Sequence, residues 1–203
     1  MKLIKYFFQF FFIGFLLIIF KIIGLKLSRI LASKLFSTLG PFFRSKKIIE
    51  RNISFAFSKS DKKFKKILIN NMWKSYGKIL AEYVFIKNFR EIESEKFLEI
   101  KGQEILEKIK LSKNPVIFIS GHFDNFELMA MHIEKSNVNL AVIYRPLNNK
   151  FLNFVMEKIR KKYICKNQIK KGILGTRQLL SFFKKKTSIA LMIDQRVSQG
   201  IKS

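Results

Sequence analysis

The chain has 203 residues, of which 48% are hydrophobic and 27% charged, with only 9 Gly and 3 Pro. This length allows one domain of ordinary size with an appended segment, and the composition excludes a disordered or collagen-like protein. The single cysteine, Cys165, excludes an internal disulfide, and the sequence has no Cys or His spacing typical of zinc ligands. We therefore expect a fold without a disulfide or a zinc site. No metal and no cofactor are predicted for the chain.

The chain is strongly basic, because 40 Lys and Arg residues against 14 Asp and Glu give a formal net charge of +26 at pH 7. A surplus of this size indicates an anionic partner, which could be nucleic acid, phospholipid or an acidic protein. Most of the basic residues are Lys, whereas base-edge recognition favours Arg. Nucleotide bias in the genome is an alternative source of much of the lysine. The charge alone does not choose among these partners.

The amino-terminal segment is apolar enough to enter a membrane. Residues 6–20 contain no charged residue, and Lys5 and Lys21 flank them. At about 1.5 Å per residue, residues 3–25 could cross a hydrocarbon layer of roughly 30 Å. A cleaved signal peptide is the alternative, but its best cleavage site, at residues 31–33, is weak. We therefore predict a transmembrane or membrane-embedded helix over residues 1–25. Basic residues are more numerous after it than before it, which predicts a cytoplasmic location for the rest of the chain.

Residues 26–99 form the second predicted region, which is basic and helical. Nine basic and two acidic residues lie between positions 44 and 66, so this stretch is expected to lie close to anionic lipid. Ser60 is predicted to cap a helix running to about Phe89, since apolar residues recur there at intervals of three and four. Trp73, beside this stripe, is interpreted as a core or interface residue. A cluster of acidic residues is interpreted as a solvated turn: Glu91, Glu93, Glu95 and Glu99.

Residues 100–203 alternate between strand and helix patterns and form the third predicted region, an α/β core. Strands are predicted over 115–120, 139–144 and 188–193, and helices over 103–110, 126–135, 150–162 and 173–186. This alternation predicts a mostly parallel sheet flanked by helices. The first strand, PVIFIS, is continuously apolar and is predicted to be buried on both faces. In such sheets functional residues gather beyond the carboxyl ends of the strands.

A histidine and a carboxylate follow the first strand. His122 comes directly after it, and Glu127 lies five residues later. This spacing allows the carboxylate to bind one ring nitrogen while the other accepts a proton from a hydroxyl group. The spacing alone is a weak signal, and a histidine that only caps a turn is the structural alternative. His132 lies in the middle of a predicted helix and is interpreted as structural.

Polar residues also follow the other two predicted strands. Arg145 and Asn148 follow the second strand in a turn that could bind phosphate or sugar, although ordinary turns have the same composition. Arg160 lies among lysines on the next helix, where a solvated basic face is the alternative. Asp194 follows the third strand.

The combination of these segments resembles the bacterial lipid A late acyltransferase family, the lauroyl and myristoyl transferases of lipopolysaccharide biosynthesis. It is more distantly similar to the glycerophospholipid acyltransferases with an H-x4-D motif. The resemblance extends over nearly the whole chain, including the apolar amino-terminal helix. It is most specific in four segments: GHFDNFE, YRPLNN, the Lys- and Arg-bearing helix after it, and MIDQR.

The resemblance implies a reaction, in which a fatty acyl group moves from a thioester to a hydroxyl of an anionic lipid A precursor. Acyl carrier protein is the expected donor, and coenzyme A is the alternative. His122 would deprotonate this hydroxyl and Glu127 would orient the imidazole. Arg160 and Asp194 would be further functional residues of the active site. Arg145 and Asn148 would bind substrate, and Arg145 or Arg160 would hold phosphate or stabilise the oxyanion.

The resemblance also implies a place in the cell and a set of partners. The protein would lie in the bacterial inner membrane, with its catalytic core on the cytoplasmic side, in contact with inner-membrane phospholipid and not with nucleic acid. Cys165 is not expected to act as a nucleophile, because it lies outside the strand ends and has no assigned base. A different class stays open, a membrane-anchored polybasic module that binds lipid or nucleic acid without catalysis.

The sequence departs from the family pattern in two places. Residues 123–126 read Phe-Asp-Asn-Phe where many relatives have a Gly-Asn-Trp version, which is expected to alter the acyl pocket. The sequence ends at Ser203, where the family usually continues through a Phe-Phe-Gly segment. We therefore expect a truncated member of the family.

Overall fold

The computed structural model describes residues 2–91 and 98–194. These residues belong to two compact units, one formed by Phe11–Ile86 and the other by the described parts of Met1–Phe10 and Lys87–Ser203. The first unit is helical, and the second contains the sheet. The predicted division of the chain at residues 25 and 99 stays a prediction.

The helices and strands are numbered here in chain order. The helices are α1 (Lys2–Phe43), α2 (Lys46–Ala56), α3 (Lys62–Tyr83), α4 (Ile86–Arg90), α5 (Gln103–Ser112), α6 (Glu127–Lys135), α7 (Lys150–Ile159) and α8 (Ile173–Lys184). The strands are β1 (Ile117–Ser120), β2 (Leu140–Tyr144), β3 (Asn167–Lys170) and β4 (Ser188–Met192). A π-helical turn over Arg160–Ile164 continues α7.

Helix α1 is interrupted at Gly24, whose backbone has φ 80° and ψ 166°, a conformation that glycine adopts without a steric penalty. The hydroxyl of Ser28 lies 2.8 Å from the carbonyl oxygen of Phe20, eight residues earlier. A straight helix would separate residues eight apart by about 12 Å, so the chain changes direction at Gly24. Among the described residues, α1 is the one helix long and apolar enough to cross a membrane, which confirms the predicted candidate span.

The helical unit is held together by close contacts between α1 and α3. Gly77 lies against Ala32, where an added Cβ atom would come within 2.3 Å of the Ala32 carbonyl oxygen. The ring of Trp73 packs on Gly40 in the same way, and Trp73 is buried, which confirms its interpretation as a core residue. Arg29 pairs with the buried carboxylate of Glu82 at 3.1 Å.

The start and end of α3 differ from the prediction. Asp61, not Ser60, caps this helix, because its carboxylate accepts a hydrogen bond from the backbone N–H of Phe64 at 2.6 Å. The helix ends at Tyr83, and the separate short helix α4 follows it. Glu93 and Glu95 of the predicted acidic cluster lie outside the described residues, whereas the exposed Glu91 pairs with Lys87.

The four strands form one parallel sheet in the order β1-β4-β2-β3, and helices flank it, as predicted. One strand, β3, was not predicted, because its sequence NQIK is short and polar. The predicted burial of the first strand on both faces is wrong. Ile117 and Ile119, which point to one face of β1, are 52% and 62% exposed, whereas Phe118 and Ser120 on the other face are half-buried, so the described residues cover this strand on one face only.

The order of the strands determines which loops meet. Strand β4 lies between β1 and β2, with Met192 opposite Ser120 and Ala190 opposite Val142. Residues that follow β1 and β4 therefore leave the sheet side by side, although they are far apart in the sequence. Ala141, Ile169, Leu179 and Ile189 form the apolar core beneath this edge.

Candidate active site

His122 lies in the loop that connects β1 to α6, and two backbone features give this loop its shape. An added Cβ atom on Gly121 would lie 2.8 Å from the Phe123 ring and 3.2 Å from Oδ2 of Asp194, so a larger residue there would require both side chains to shift. Asp124 has φ 41°, in the left-handed region that Asp and Asn tolerate better than most residues. The loop then enters α6 at Glu127.

The imidazole of His122 is held by Asp194. Its Nδ1 atom lies 2.7 Å from Oδ1 of Asp194, and its backbone N–H donates to Oδ2 at 2.7 Å. The ring of Phe126 packs edge-on against the imidazole, with centroids 4.6 Å apart. Both oxygens of one carboxylate and one aromatic ring therefore fix the position of the imidazole.

The hydrogen bonds of this pair define which ring nitrogen of the neutral imidazole carries the proton. The hydrogen bonds from the His122 backbone and ring lower the pKa of Asp194 below its usual value, so this carboxyl group is ionised at neutral pH. An ionised carboxylate only accepts hydrogen bonds, so Nδ1 carries the proton and Nε2 is left as the acceptor. This is the tautomer that a general base requires.

Glu127 takes part in a second ion pair, with Arg160. The Nε atom of Arg160 donates to Oε1 of Glu127 at 2.8 Å, and Nη2 contacts the same oxygen. Glu127 is buried and the Arg160 side chain is only 13% exposed, so the predicted alternative of a solvated basic face does not hold for Arg160. The guanidinium also lies over the ring of Tyr144, 5.7 Å from its centroid.

A π-helical turn begins at Arg160, where the carbonyl oxygen accepts a hydrogen bond from the Cys165 backbone N–H, five residues later, at 2.9 Å. Such turns recur at functional sites, because the extra residue changes the direction in which side chains point. In this chain the turn coincides with the residue that pairs with Glu127.

The structure brings four of the sequence-predicted residues together as two pairs. His122 makes its observed ring hydrogen bond to Asp194, and Glu127 makes its observed ion pair with Arg160. The pairing of His122 with Glu127 and the roles of all the predicted site residues stay predictions. Gln195 and Arg196, the last two residues of the MIDQR segment, lie outside the described residues.

The loop after β2 carries Arg145 and Asn148, and both are exposed. Its backbone is fixed from α7, because the N–H of Leu147 donates to Oδ1 of Asn153 at 2.9 Å. The side chain of Asn149 caps α7 by accepting from the backbone N–H groups of Phe151 and Leu152. The loop therefore presents Arg145 and Asn148 from a supported backbone.

Glu157 of α7 connects this loop to β2, and no pattern in the sequence singled it out. It accepts hydrogen bonds from the Tyr144 hydroxyl and from Nδ2 of Asn153, the latter at 2.8 Å. The bond from Tyr144 is the main cause that lowers the pKa of Glu157. Burial, with a smaller contribution from Glu157, raises the pKa of Tyr144.

Two further residues lie apart from this arrangement. Cys165 is buried, its Sγ atom lies 3.2 Å from the Leu140 carbonyl oxygen, and burial raises the pKa of its thiol to about 11. Such a thiol is a poor nucleophile at neutral pH.

His132 bonds through Nε2 to Oε1 of Gln103 at 2.8 Å, in keeping with a structural role.

A parallel α/β sheet with an oriented histidine at the ends of two adjacent strands is an arrangement suited to enzymes that activate a hydroxyl group by general-base catalysis. The family model of the bacterial lipid A biosynthesis acyltransferases matches residues 1–202. The chain therefore belongs to this family, and it is an acyltransferase of lipid A synthesis. Comparison with curated proteins finds no significant match.

Proposed function

We propose that the chain transfers a fatty acyl group from a thioester of acyl carrier protein to a hydroxyl of an anionic lipid A precursor. The hydrogen bond of 2.7 Å between His122 and Asp194 carries this proposal. It orients a partly exposed imidazole at the carboxyl edge of the sheet, where a lipid hydroxyl can approach. Family membership supports acyl transfer in lipid A synthesis as the reaction. The geometry around His122 supports this residue as the general base.

In the proposed reaction, Nε2 of His122 accepts the proton of the acceptor hydroxyl while its oxygen attacks the thioester carbonyl carbon. Asp194 stabilises the imidazolium that forms, as the carboxylate does in a Ser-His-Asp triad. The tetrahedral intermediate then loses the thiolate by cleavage of the C–S bond, and the imidazolium returns its proton to the sulfur. An ester and a free thiol result.

The two arginines have different surroundings and, in this proposal, different roles. Arg160 is buried against Glu127 and fixes the first turn of α6 behind the histidine loop. Arg145 is exposed on the loop after β2, where it can bind a phosphate of the acceptor or the developing oxyanion. Asn148 of the same loop supplies an amide to the acceptor.

The proposal places the enzyme at the inner membrane with its catalytic unit on the cytoplasmic side, where acyl carrier protein is found. Residues of α1 that recur every three or four positions expose large apolar side chains: Ile4, Phe8, Phe11, Phe15, Ile18 and Ile22. Such a stripe is suited to contact with phospholipid tails. The net charge of +26 adds attraction to anionic phospholipid and to an acidic carrier protein.

The test is lipid mass spectrometry of a bacterium that lacks its own late acyltransferase, with and without this chain. We expect the lipid A of the complemented strain to gain one acyl chain. The His122→Ala variant, present at the same level in membranes, should add none. A wild-type protein that adds no chain, but binds anionic vesicles or nucleic acid with steep salt dependence, would instead establish the non-catalytic polybasic module.

A further inference from the structure

A cavity of about 420 Å³ lies between the first turns of α1 and the loop from β2 to α7. This volume is within the range of small-molecule sites. The polar residues that line it include two lysines and three side-chain amides: Lys2, Lys5, Gln9, Asn148 and Asn149. We call this the amino-terminal cavity.

The walls of the amino-terminal cavity are fixed to each other by hydrogen bonds and ring contacts. Nδ2 of the buried Asn149 donates to the Tyr6 carbonyl oxygen at 2.8 Å and lies 3.4 Å from Oε1 of Gln9. The rings of Phe7 and Phe10 pack on Phe151, with centroids 6.2 and 5.9 Å apart. The first turns of α1 are therefore packed into the unit that contains the candidate active site.

The chemistry of the lining residues selects an anion. Lys2 and Lys5 supply two ammonium groups, and no acidic residue is among the described residues that line the cavity. The amides of Gln9 and Asn148 can donate to and accept from sugar hydroxyls. The two lysines directly precede the apolar run of α1, which places them at the level of lipid headgroups when that run enters a bilayer.

We propose that the amino-terminal cavity binds the phosphate of a phosphorylated sugar lipid, with the phosphate held by Lys2 and Lys5. This inference rests on the proposed function and adds a phosphate-binding site for the acceptor. The link between the two is Asn148, which belongs both to this cavity and to the proposed acceptor loop. Helix α1 is then a wall of the acceptor site as well as a membrane anchor. A bulk anionic phospholipid offers the same phosphate chemistry and is distinguished by the test.

The activity test uses the full chain in nanodiscs and a phosphorylated lipid A precursor. In the double variant Lys2→Gln/Lys5→Gln, we expect KM for this acceptor to rise about ten-fold with kcat within about two-fold, as for lost ground-state binding. The precursor treated with phosphatase should show no difference between variant and wild type. The matched control is Lys26→Gln/Lys34→Gln, which removes two exposed charges from the same helix and should leave KM unchanged.

The binding test does not depend on turnover. In the His122→Ala background, the phosphorylated precursor should protect Lys2 and Lys5 from acetylation by an amine-reactive ester, as read by mass spectrometry, and leave Lys26 and Lys34 unprotected. Equal protection by phosphatidylglycerol vesicles alone would assign the cavity to bulk phospholipid and overturn the proposal.

Equal rises in KM for both double variants, or an absence of protection at Lys2 and Lys5, would also overturn it. A chain that transfers no acyl group at all, yet protects these lysines with the phosphorylated precursor, would contradict the proposed function and leave the cavity assignment supported.

Discussion

The two ion pairs near the end of β1 differ mainly in their exposure to solvent. The side chains of His122 and Asp194 are 30% and 39% exposed, whereas those of Arg160 and Glu127 are 13% and 8% exposed. The first pair lies on loops at the edge of the sheet, and the second joins α6 to the end of α7. An accessible pair is suited to exchanging a proton with a substrate, whereas a largely buried pair is suited to holding its surroundings in place.

We expect the His122–Asp194 pair to act in catalysis and the Glu127–Arg160 pair to stabilise the fold. Breaking a buried pair leaves an uncompensated charge in the protein interior, so it affects folding. Breaking an exposed pair affects folding little, because water solvates the remaining partner. Variants of the two pairs should therefore differ in which quantity changes, the rate of acyl transfer or the free energy of unfolding.

The largest effect is expected for His122→Ala. Because a positioned general base contributes roughly 10²- to 10⁴-fold, acyl transfer from an acyl carrier protein thioester should slow by about that factor, with denaturation midpoint and membrane association unchanged. His132→Asn is the matched control, since that histidine bonds to Gln103 away from the sheet edge. A His132 variant that loses as much activity as the His122 variant would remove the distinction between the two histidines.

The next effect is on stability and concerns Glu127→Gln. This change leaves the buried Arg160 without its carboxylate partner, so the free energy of unfolding should fall by about 3–5 kcal/mol, measured by chemical denaturation in detergent. The double variant Glu127→Gln/Arg160→Met should recover part of the loss. Wild-type stability together with a severe loss of rate would instead support the sequence-predicted dyad, in which Glu127 orients His122.

A smaller effect, on rate alone, is expected for Asp194→Asn. The amide can no longer enforce the Nδ1–H tautomer or stabilise the imidazolium, so kcat should fall by about 10²- to 10³-fold with unchanged stability. Asp124→Asn is the control carboxylate, because asparagine tolerates the left-handed backbone at that position. If Asp194→Asn is as active as the control, Asp194 does not orient the base.

The smallest effect concerns Glu157, which lies between the two extremes of exposure. The Tyr144 hydrogen bond lowers its pKa in the folded state, so it stabilises the fold above the unfolded-state value of about 4.3. This contribution is lost as pH falls through the lower folded-state pKa.

Denaturation curves at pH 6 and pH 3 should therefore differ less for Glu157→Gln than for wild type, by about 1 kcal/mol. An identical pH dependence in the two proteins would show that the hydrogen bonds of Glu157 do not stabilise the fold.

Much of the α/β region was predictable because its strands are short apolar runs and its helices have regular apolar spacing. Strands β2 and β4 each lie within one residue of the predicted bounds. Strand β3 was missed, since an edge strand that buries little needs no apolar pattern. The predicted burial of β1 was wrong because an apolar sequence does not show whether both faces of a strand are covered.

The contact between His122 and Asp194 could not be read from the sequence. They are 72 residues apart, and they meet only because β4 lies next to β1 in the sheet. Local spacing pointed to Glu127 instead, five residues away on the next helix. Asp194 was found as a candidate because it directly follows an apolar strand and belongs to the MIDQR segment of the family resemblance.

The hydrogen bond between Asn149 and the Tyr6 carbonyl oxygen has a consequence for the topology of the protein in a bilayer. It joins the first turns of α1 to the unit that carries the histidine loop, so we expect the amino terminus and this loop to lie in the same aqueous compartment. Insertion of α1 would then require no translocation of Lys2 and Lys5 across the lipid. We therefore expect a monotopic protein that both of the proposed substrates reach from one side of the bilayer.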